Sequence, residues 1–124
     1  DMNLIYLDYN CFQRGFDDLQ QTRIQMEALA CEWIFEQAQL ECLTLAWSFM
    51  HDDVCPFLER QLEALRLAEL CTIKIAPETE IYNRAKAFHK TANLSPKDAI
   101  HVACAEFIKA DYFVTCDDKI TQTN

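Results

Sequence analysis

The sequence predicts an α/β fold in which a parallel sheet is covered by helices on both faces. Strand-like and helix-like segments alternate along the chain, and apolar residues make up 51% of it, so a folded rather than a disordered chain is expected. Such alternation is typical of parallel sheets, because each crossover to the next strand returns through a helix. One glycine and three prolines are too few for an all-β fold with many tight hairpins. We expect a single domain over residues 1–124.

The first half of the chain contains two predicted strands and one long predicted helix. A short apolar segment ends in Asp8, and residues 42–47 form a second one. Between them, a helix is predicted from Asp17 or Asp18 to about Glu41. Two apolar rows on this helix predict burial on two sides, against the sheet and against a neighbouring helix or a partner protein. The first row is Ile24, Ala28, Cys31, Phe35 and Ala38, and the second is Met26, Leu29, Ala30, Trp33 and Leu40.

The second half continues the alternation. An amphipathic helix is predicted from Pro56 to Leu70, a strand over residues 72–76, and a helix from Pro77 to about Thr91. The residues of the first of these helices that are expected to face inward are Phe57, Leu58, Leu62, Leu65 and Leu67.

A further helix begins at Ser95, a good N-cap, and Pro96 suits its first position. Asp98 lies in its first turn, where a negative charge is favoured. Two apolar series at helical spacing predict that this helix is buried on more than one side, and a strand is predicted at residues 112–115. A carboxylate at the mouth of a buried helix is either a cap or a ligand.

The charge and the cysteines limit the classes of function. Residues 1–59 carry 11 acids and two bases, whereas residues 60–124 carry nine of each, so the net charge of −9 belongs to the first half. An acidic domain binds nucleic acid poorly unless local bases, metal ions or a basic partner offset its charge. Seven cysteines without a Cys-x-x-Cys pair predict reduced thiols, a cytoplasmic location and no zinc site. No apolar run approaches about 18 residues, so no membrane association is expected.

Acidic residues follow three of the four predicted strands, and Asp98 can join them at the carboxyl edge of the sheet. The full set is Asp8, Asp52, Asp53, Asp98, Asp117 and Asp118. Each of these acids alone is explained as a turn or cap residue, but converging carboxylates repel each other unless cations are bound. Hard divalent ions prefer such oxygen ligands, and metal-bound water suits phosphodiester hydrolysis. His51, beside two of the acids, is either a ligand or a packed histidine.

Three segments of the chain resemble the PIN-domain ribonucleases: Ile5–Asn10, Leu94–Ala105 and Asp111–Lys119. The resemblance implies a three-layer α/β/α sandwich with a Rossmann-like central parallel sheet. It also implies Mg²⁺- or Mn²⁺-dependent cleavage of RNA, as the toxin of a bacterial toxin–antitoxin pair. The partners that it implies are an RNA substrate, an antitoxin protein and a second copy of the chain.

The resemblance assigns site residues by their match to the family motifs. Asp8, Asp98 and Asp117 match the first, third and fourth acids, which hold the metal. The supporting residues are Asn10 for the first acid, Thr115 for the fourth through its hydroxyl, and the neighbouring Asp118. The family's second acid has no direct match, because Val54 lies near its place, and Asp52 or Asp53 must substitute. The candidates for phosphate contacts are Arg14, Lys97 and Lys119.

Two other functions are considered beside the ribonuclease. The displaced second acid and the acidic first half favour a catalytically impaired PIN-like domain that serves as a protein-binding or assembly module. Relatives usually continue past the fourth acid into another helix and edge strand, so the domain is expected to be short at its C-terminus. A phosphoacceptor receiver domain also carries acids at strand ends, but it needs paired acids after the first strand, where Asp8 stands alone.

Overall fold

In the part of the chain that the structure describes, four parallel strands lie between two layers of helices. The computed structural model describes residues 2–8, 11, 22–52 and 58–115. In chain order, its elements are β1 (Asn3–Leu7), α1 (Thr22–Gln39), β2 (Leu43–Ser48), a 3-10 helix (Phe49–Asp52), α2 (Leu58–Glu69), β3 (Cys71–Ile75), α3 (Thr79–Thr91), α4 (Pro96–Phe107) and β4 (Tyr112–Val114). The predicted three-layer α/β/α sandwich is confirmed. None of the described helices is both long and apolar enough to cross a membrane.

The strands of the sheet are ordered β3-β2-β1-β4, and each pair is parallel. The chain moves outward from β1 through β2 to β3, and then returns to add β4 on the other side of β1. The direction of strand addition therefore reverses between β1 and β4. In open α/β sheets, ligands commonly bind at the carboxyl ends of the strands that flank such a reversal.

The start of β4 is held against β1 by two contacts of Asp111. The backbone N–H of Asp111 donates to the Leu4 carbonyl oxygen at 2.7 Å, and the backbone N–H of Leu4 donates to Asp111 Oδ2 at 2.7 Å. The register then pairs Leu7 with Val114. As a result, the residue that follows β4 lies beside the residue that follows β1.

Successive side chains of the strands face two different apolar cores. Ile5 and Leu7 pack in the core beneath α1 and α2, whereas Tyr6 and Ala46 pack in the core beneath α3 and α4. Because side chains alternate between the faces of a strand, Asp8 shares the face of Tyr6. The alternation therefore directs the acid at the end of β1 toward α4.

The beginning of α4 has the predicted capping. Ser95 is the N-cap, and its hydroxyl oxygen accepts the backbone N–H of Asp98 at 3.2 Å. Pro96 is the first helical residue. Ala99 and Ala103 are fully buried, as the apolar series predicts. Side chains this small let the helix approach the sheet closely.

The predicted inward face of α2 is wrong at three positions. Leu58, Leu62 and Leu65 are 66%, 58% and 65% exposed, whereas Leu67 is 2% exposed. The helix packs on the sheet core through Leu67, with Ala64 and Ala68 beside it. Phe57 lies outside the described residues.

The second apolar row of α1 is exposed within the chain. Cys31 and Phe35 of the first row pack in the sheet core. On the opposite face, Met26, Leu29 and Trp33 are 66%, 66% and 58% exposed. Burial of α1 was predicted on two sides. Among the described residues, only the side that faces the sheet is buried.

Candidate active site

A buried carboxylate lies at the end of β1, where the direction of strand addition reverses. Asp8 is 3% exposed, and its backbone N–H donates to the Val114 carbonyl oxygen at 2.9 Å. Its Oδ2 accepts the hydroxyl of Thr115 at 2.9 Å, across a separation of 107 residues. A buried carboxylate is costly unless hydrogen bonds stabilise its oxygens. The pairing of β1 with β4 provides one such bond.

His101 approaches the second oxygen of Asp8 from α4. Its Nε2 lies 3.8 Å from Asp8 Oδ1, which is beyond hydrogen-bond length and is an ion-pair distance when the imidazole is protonated. Its Nδ1 lies 2.7 Å from the hydroxyl oxygen of Tyr6. The imidazole therefore bridges two residues that share one face of β1.

Ser48 and His51 continue this set of contacts from the end of β2. The Tyr6 hydroxyl lies 2.8 Å from Ser48 Oγ. The backbone N–H of Ser48 donates to His51 Nδ1 at 2.8 Å, so the ring proton resides on Nε2, which donates to the Leu7 carbonyl oxygen at 2.7 Å. Both ring nitrogens of His51 are engaged by backbone groups, which favours the packed histidine over the metal ligand.

We call Tyr6, Ser48, His51 and His101 the buried polar network. Their exposed fractions are 0%, 0%, 2% and 2%. Burial raises the pKa of the Tyr6 hydroxyl far above its ordinary value, so the phenol stays neutral and can donate. Burial also raises the pKa of the Cys104 thiol, which lies beside Tyr6 and Ser48, to about 11.

Asp98 lies in the first turn of α4, on the helix face that carries His101. Its backbone is held by the Ser95 cap, and its side chain is half-buried. Residues three apart on a helix are neighbours, so the helix that directs His101 at Asp8 turns Asp98 to the same side. Lys97 is exposed in the same turn.

The remaining predicted site residues lie wholly or partly outside the described chain. They are Asn10, Arg14, Asp53, Asp117, Asp118 and Lys119, while Asp52 ends the 3-10 helix. The hydroxyl of Thr115 donates to Asp8. Its predicted contact with the fourth acid, Asp117, falls on a residue outside the described chain. Among the described residues, no group of three or more histidine, cysteine, aspartate or glutamate side chains could hold a metal ion.

The donor chemistry at this edge of the sheet fits a hard divalent cation. Asp8 and Asp98 offer carboxylate oxygens, which Mg²⁺ and Mn²⁺ prefer over nitrogen or sulfur ligands. Asp8 is oriented by Thr115 before any ion binds. Orientation of a ligating carboxylate by hydrogen-bonding partners is a common feature of metal sites.

Sequence reasoning missed the buried polar network. Tyr6 lies in a strand of apolar residues, and His101 stands between Ile100 and Val102 in an apolar helix. A polar side chain within a buried segment needs hydrogen-bond partners, and this was the available signal. Its partners could not be named without the strand order, because 95 residues separate Tyr6 from His101.

Comparison with known proteins gives a family match. The family model for the PIN domain matches residues 5–124 of the chain. PIN domains are generally nucleases that act on RNA. No curated protein and no solved structure matches the chain.

Proposed function

Since this chain belongs to the PIN domain family, we propose that it is a metal-dependent endoribonuclease that hydrolyses RNA phosphodiester bonds. The observation that carries the proposal is the buried Asp8 carboxylate, which is 3% exposed at the carboxyl end of β1. Thr115 donates to one of its oxygens at 2.9 Å, and Asp98 lies in the first turn of α4, three residues before His101. These features support a preorganised acidic site.

In this proposal, Asp8, Asp98 and Asp117 hold one or two Mg²⁺ or Mn²⁺ ions, and Asp52 or Asp53 supplies the remaining acid. The ion, when bound, lowers the pKa of a water molecule and stabilises negative charge that develops on the phosphate. The protein holds the carboxylates: Thr115 fixes Asp8, and Ser95 fixes the backbone of Asp98. Asn10 and Asp118 are proposed to support the neighbouring acids.

RNA is proposed to approach the site past the first turn of α4. Lys97 is exposed there, and the N-terminus of a helix favours negatively charged groups. Arg14 and Lys119 are the other proposed phosphate contacts. These three basic residues would supply the electrostatic attraction to RNA phosphates that an acidic domain otherwise lacks.

We further propose that the enzyme is a toxin with two protein partners, a second copy of the chain and an antitoxin. The exposed apolar side chains of α1 and α2 support a partner surface, since large apolar patches mark interaction sites. We call these side chains the apolar surface: Met26, Leu29, Trp33, Leu58, Leu62 and Leu65. A second copy of the chain is proposed to cover it when the antitoxin is absent. An antitoxin is proposed to compete for the same face of α1 and to insert a basic side chain among the acids of the cytoplasmic enzyme.

The test is cleavage of a labelled RNA pool in Mn²⁺ or Mg²⁺, with EDTA and the Asp98→Asn variant in parallel. The expected result is metal-dependent cleavage that EDTA abolishes and that Asp98→Asn lowers by about 100-fold or more, because the charge of one ligand is lost. Glu78→Gln is the matched control, since this exposed carboxylate makes no side-chain cap bond. Cleavage by Asp98→Asn at the wild-type rate would contradict the assigned site.

A catalytically impaired binding module is the second candidate function, and the apolar surface is the observation that favours it. Mn²⁺ binding separates the two candidates. An active site binds the ion through Asp98, whereas an impaired domain binds neither the ion nor RNA and retains the partner surface alone.

A further inference from the structure

We propose that His101, held in place by Tyr6, is a positioning residue that orients the Asp8 carboxylate for metal binding; this inference rests on the function proposed above. His101 makes no contact with substrate in this proposal. It acts through Asp8, whose Oδ1 lies 3.8 Å from His101 Nε2.

The hydroxyl of Tyr6 provides a fixed support for the imidazole. The Tyr6 ring stacks on Phe113 with ring centroids 5.6 Å apart and planes 11° from parallel. Its hydroxyl lies 2.8 Å from Ser48 Oγ, and Ser48 Oγ also accepts the backbone N–H of Met50 at 3.1 Å. Phe113 therefore constrains the Tyr6 ring and Ser48 constrains its hydroxyl, both independently of His101.

The contact between Tyr6 and His101 determines whether Nε2 of His101 presents a hydrogen or a lone pair to Asp8. If Nδ1 accepts the Tyr6 hydroxyl, a neutral ring has its hydrogen on Nε2. If Nδ1 donates to Tyr6 instead, a neutral ring turns the Nε2 lone pair toward a carboxylate, which is electrostatically unfavourable. A doubly protonated ring again has a hydrogen on Nε2. Both favourable arrangements therefore carry a hydrogen on Nε2, the ring nitrogen nearer to Asp8 Oδ1.

The two oxygens of Asp8 are thus controlled from opposite sides of the residue. Thr115, after β4, donates to Oδ2 at 2.9 Å, and His101, on α4, faces Oδ1. The hydrogen bond from Thr115 and the weaker attraction of the His101 N–H favour the same rotation of the carboxylate plane. The lone pairs that remain available to a cation then have a set direction, which lowers the cost of organising the site on binding.

Burial makes this arrangement difficult to replace. Tyr6 is fully buried and His101 is 2% exposed, so bulk water has little access to the hydroxyl or the ring. A buried polar group that loses its hydrogen-bond partner changes its orientation or displaces the side chains that contact it. A change at Tyr6 is therefore expected to reach Asp8 through His101.

Two substitutions at His101 separate its two contacts. In His101→Gln, the side-chain amide nitrogen can lie near the former Nε2 and keep an N–H toward Asp8, while the Tyr6 contact is lost. In His101→Asn, the shorter amide can reach Tyr6 but not Asp8. Tyr6→Phe keeps the ring and removes the hydroxyl. Tyr82→Phe, at an exposed tyrosine of α3, is the matched control.

The measurement is the Mn²⁺ dissociation constant by titration calorimetry, with kcat and KM for RNA measured on the same proteins. We expect His101→Asn to weaken Mn²⁺ binding by about 10-fold or more, and His101→Gln to recover most of that loss. Tyr6→Phe is expected to weaken binding by about 3-fold or more, and Tyr82→Phe to match the wild type. In the same variants kcat is expected to fall while KM for RNA is unchanged. Because a loss of folded protein would also lower the apparent kcat at constant KM, the Mn²⁺ stoichiometry from the same titrations, which is expected to match the wild type, separates the two causes.

The outcomes separate this inference from the proposed function. If the wild type binds Mn²⁺ and both Tyr6→Phe and His101→Asn bind it equally well, the positioning role is wrong and the ribonuclease proposal stands. If the wild type binds no Mn²⁺, the metal-dependent function itself fails, and the inference fails with it. Should His101→Asn not fold, the shape-conserving Tyr6→Phe decides the question alone.

Discussion

The two helical layers of this protein bury their apolar residues to very different extents. On the α3–α4 side, Ile81, Ala99, Ala103 and Cys104 are fully buried against the sheet. On the α1–α2 side, Leu67 and Cys31 are buried, but the apolar surface on the far face of both helices is exposed. The first layer is complete within the chain, and the second presents large apolar side chains to solvent.

The difference follows from the residues that meet the sheet. Small side chains on α4 allow a close approach, and that closeness brings His101 within 3.8 Å of Asp8. Helices α1 and α2 carry large apolar residues on both of their faces, and one sheet can cover only one face of each helix. The layer that builds the candidate site is thus the rigidly packed one, and the other layer is suited to a partner.

The largest expected effect is on the free energy of unfolding, and it differs between a buried and an exposed leucine of α2. Leu67→Ala should lower the free energy of unfolding by about 2–5 kcal/mol, because it opens a cavity against the sheet. Leu65→Ala, two residues earlier and 65% exposed, should cost about 0.5 kcal/mol or less. Urea denaturation of both variants measures the difference. Equal costs would mean that α2 buries the opposite face.

The second-largest expected effect is a loss of stability at alkaline pH, through a buried cysteine of the α3–α4 layer. Burial raises the pKa of Cys104 from 9.0 to about 11, so the folded protein keeps a proton that the unfolded chain loses. Its contribution to stability is complete below about pH 9 and is lost as the pH rises through about 11. The melting temperature should therefore fall across this window, and Cys104→Ala should make the fall shallower. Cys42→Ala, at an exposed cysteine, is the control; an identical slope in all three proteins would refute the assignment.

The smallest expected effect on stability is on the apolar surface of α1. Replacing Leu29 and Trp33 together by glutamine should change the free energy of unfolding of the monomer by about 0.5 kcal/mol or less per site, because both side chains are exposed in the isolated chain. Association should change instead. Sedimentation of the wild type is expected to give a dimer and that of the double variant a monomer. A wild type that sediments as a monomer would remove the second copy as the partner of this surface.

Local signals predicted the fold well. The start of α4 follows from Ser95 and Pro96, whose capping chemistry involves only neighbouring residues. Alternating strands and helices likewise predicted the parallel sheet between two helical layers.

Features that depend on distant contacts could not be predicted. The exposure of Leu58, Leu62 and Leu65 depends on how α2 is rotated on the sheet, and an apolar pattern does not specify which of two apolar faces is covered. The contact of His101 with Tyr6 needs the order of the strands as well as the sequence. The roles of all the assigned acids, Asp8 and Asp98 included, stay predictions.

The most direct test of the account is a calorimetric titration of Mn²⁺ into the wild type and the Asp8→Asn variant. Asparagine keeps the shape of the side chain and removes the charge that a hard cation requires. We predict saturable binding to the wild type and a loss of about 100-fold or more in affinity for Asp8→Asn, with the fold retained by circular dichroism. Equal affinity of the two proteins for Mn²⁺ would show that the carboxylate at the end of β1 is not the centre of the site.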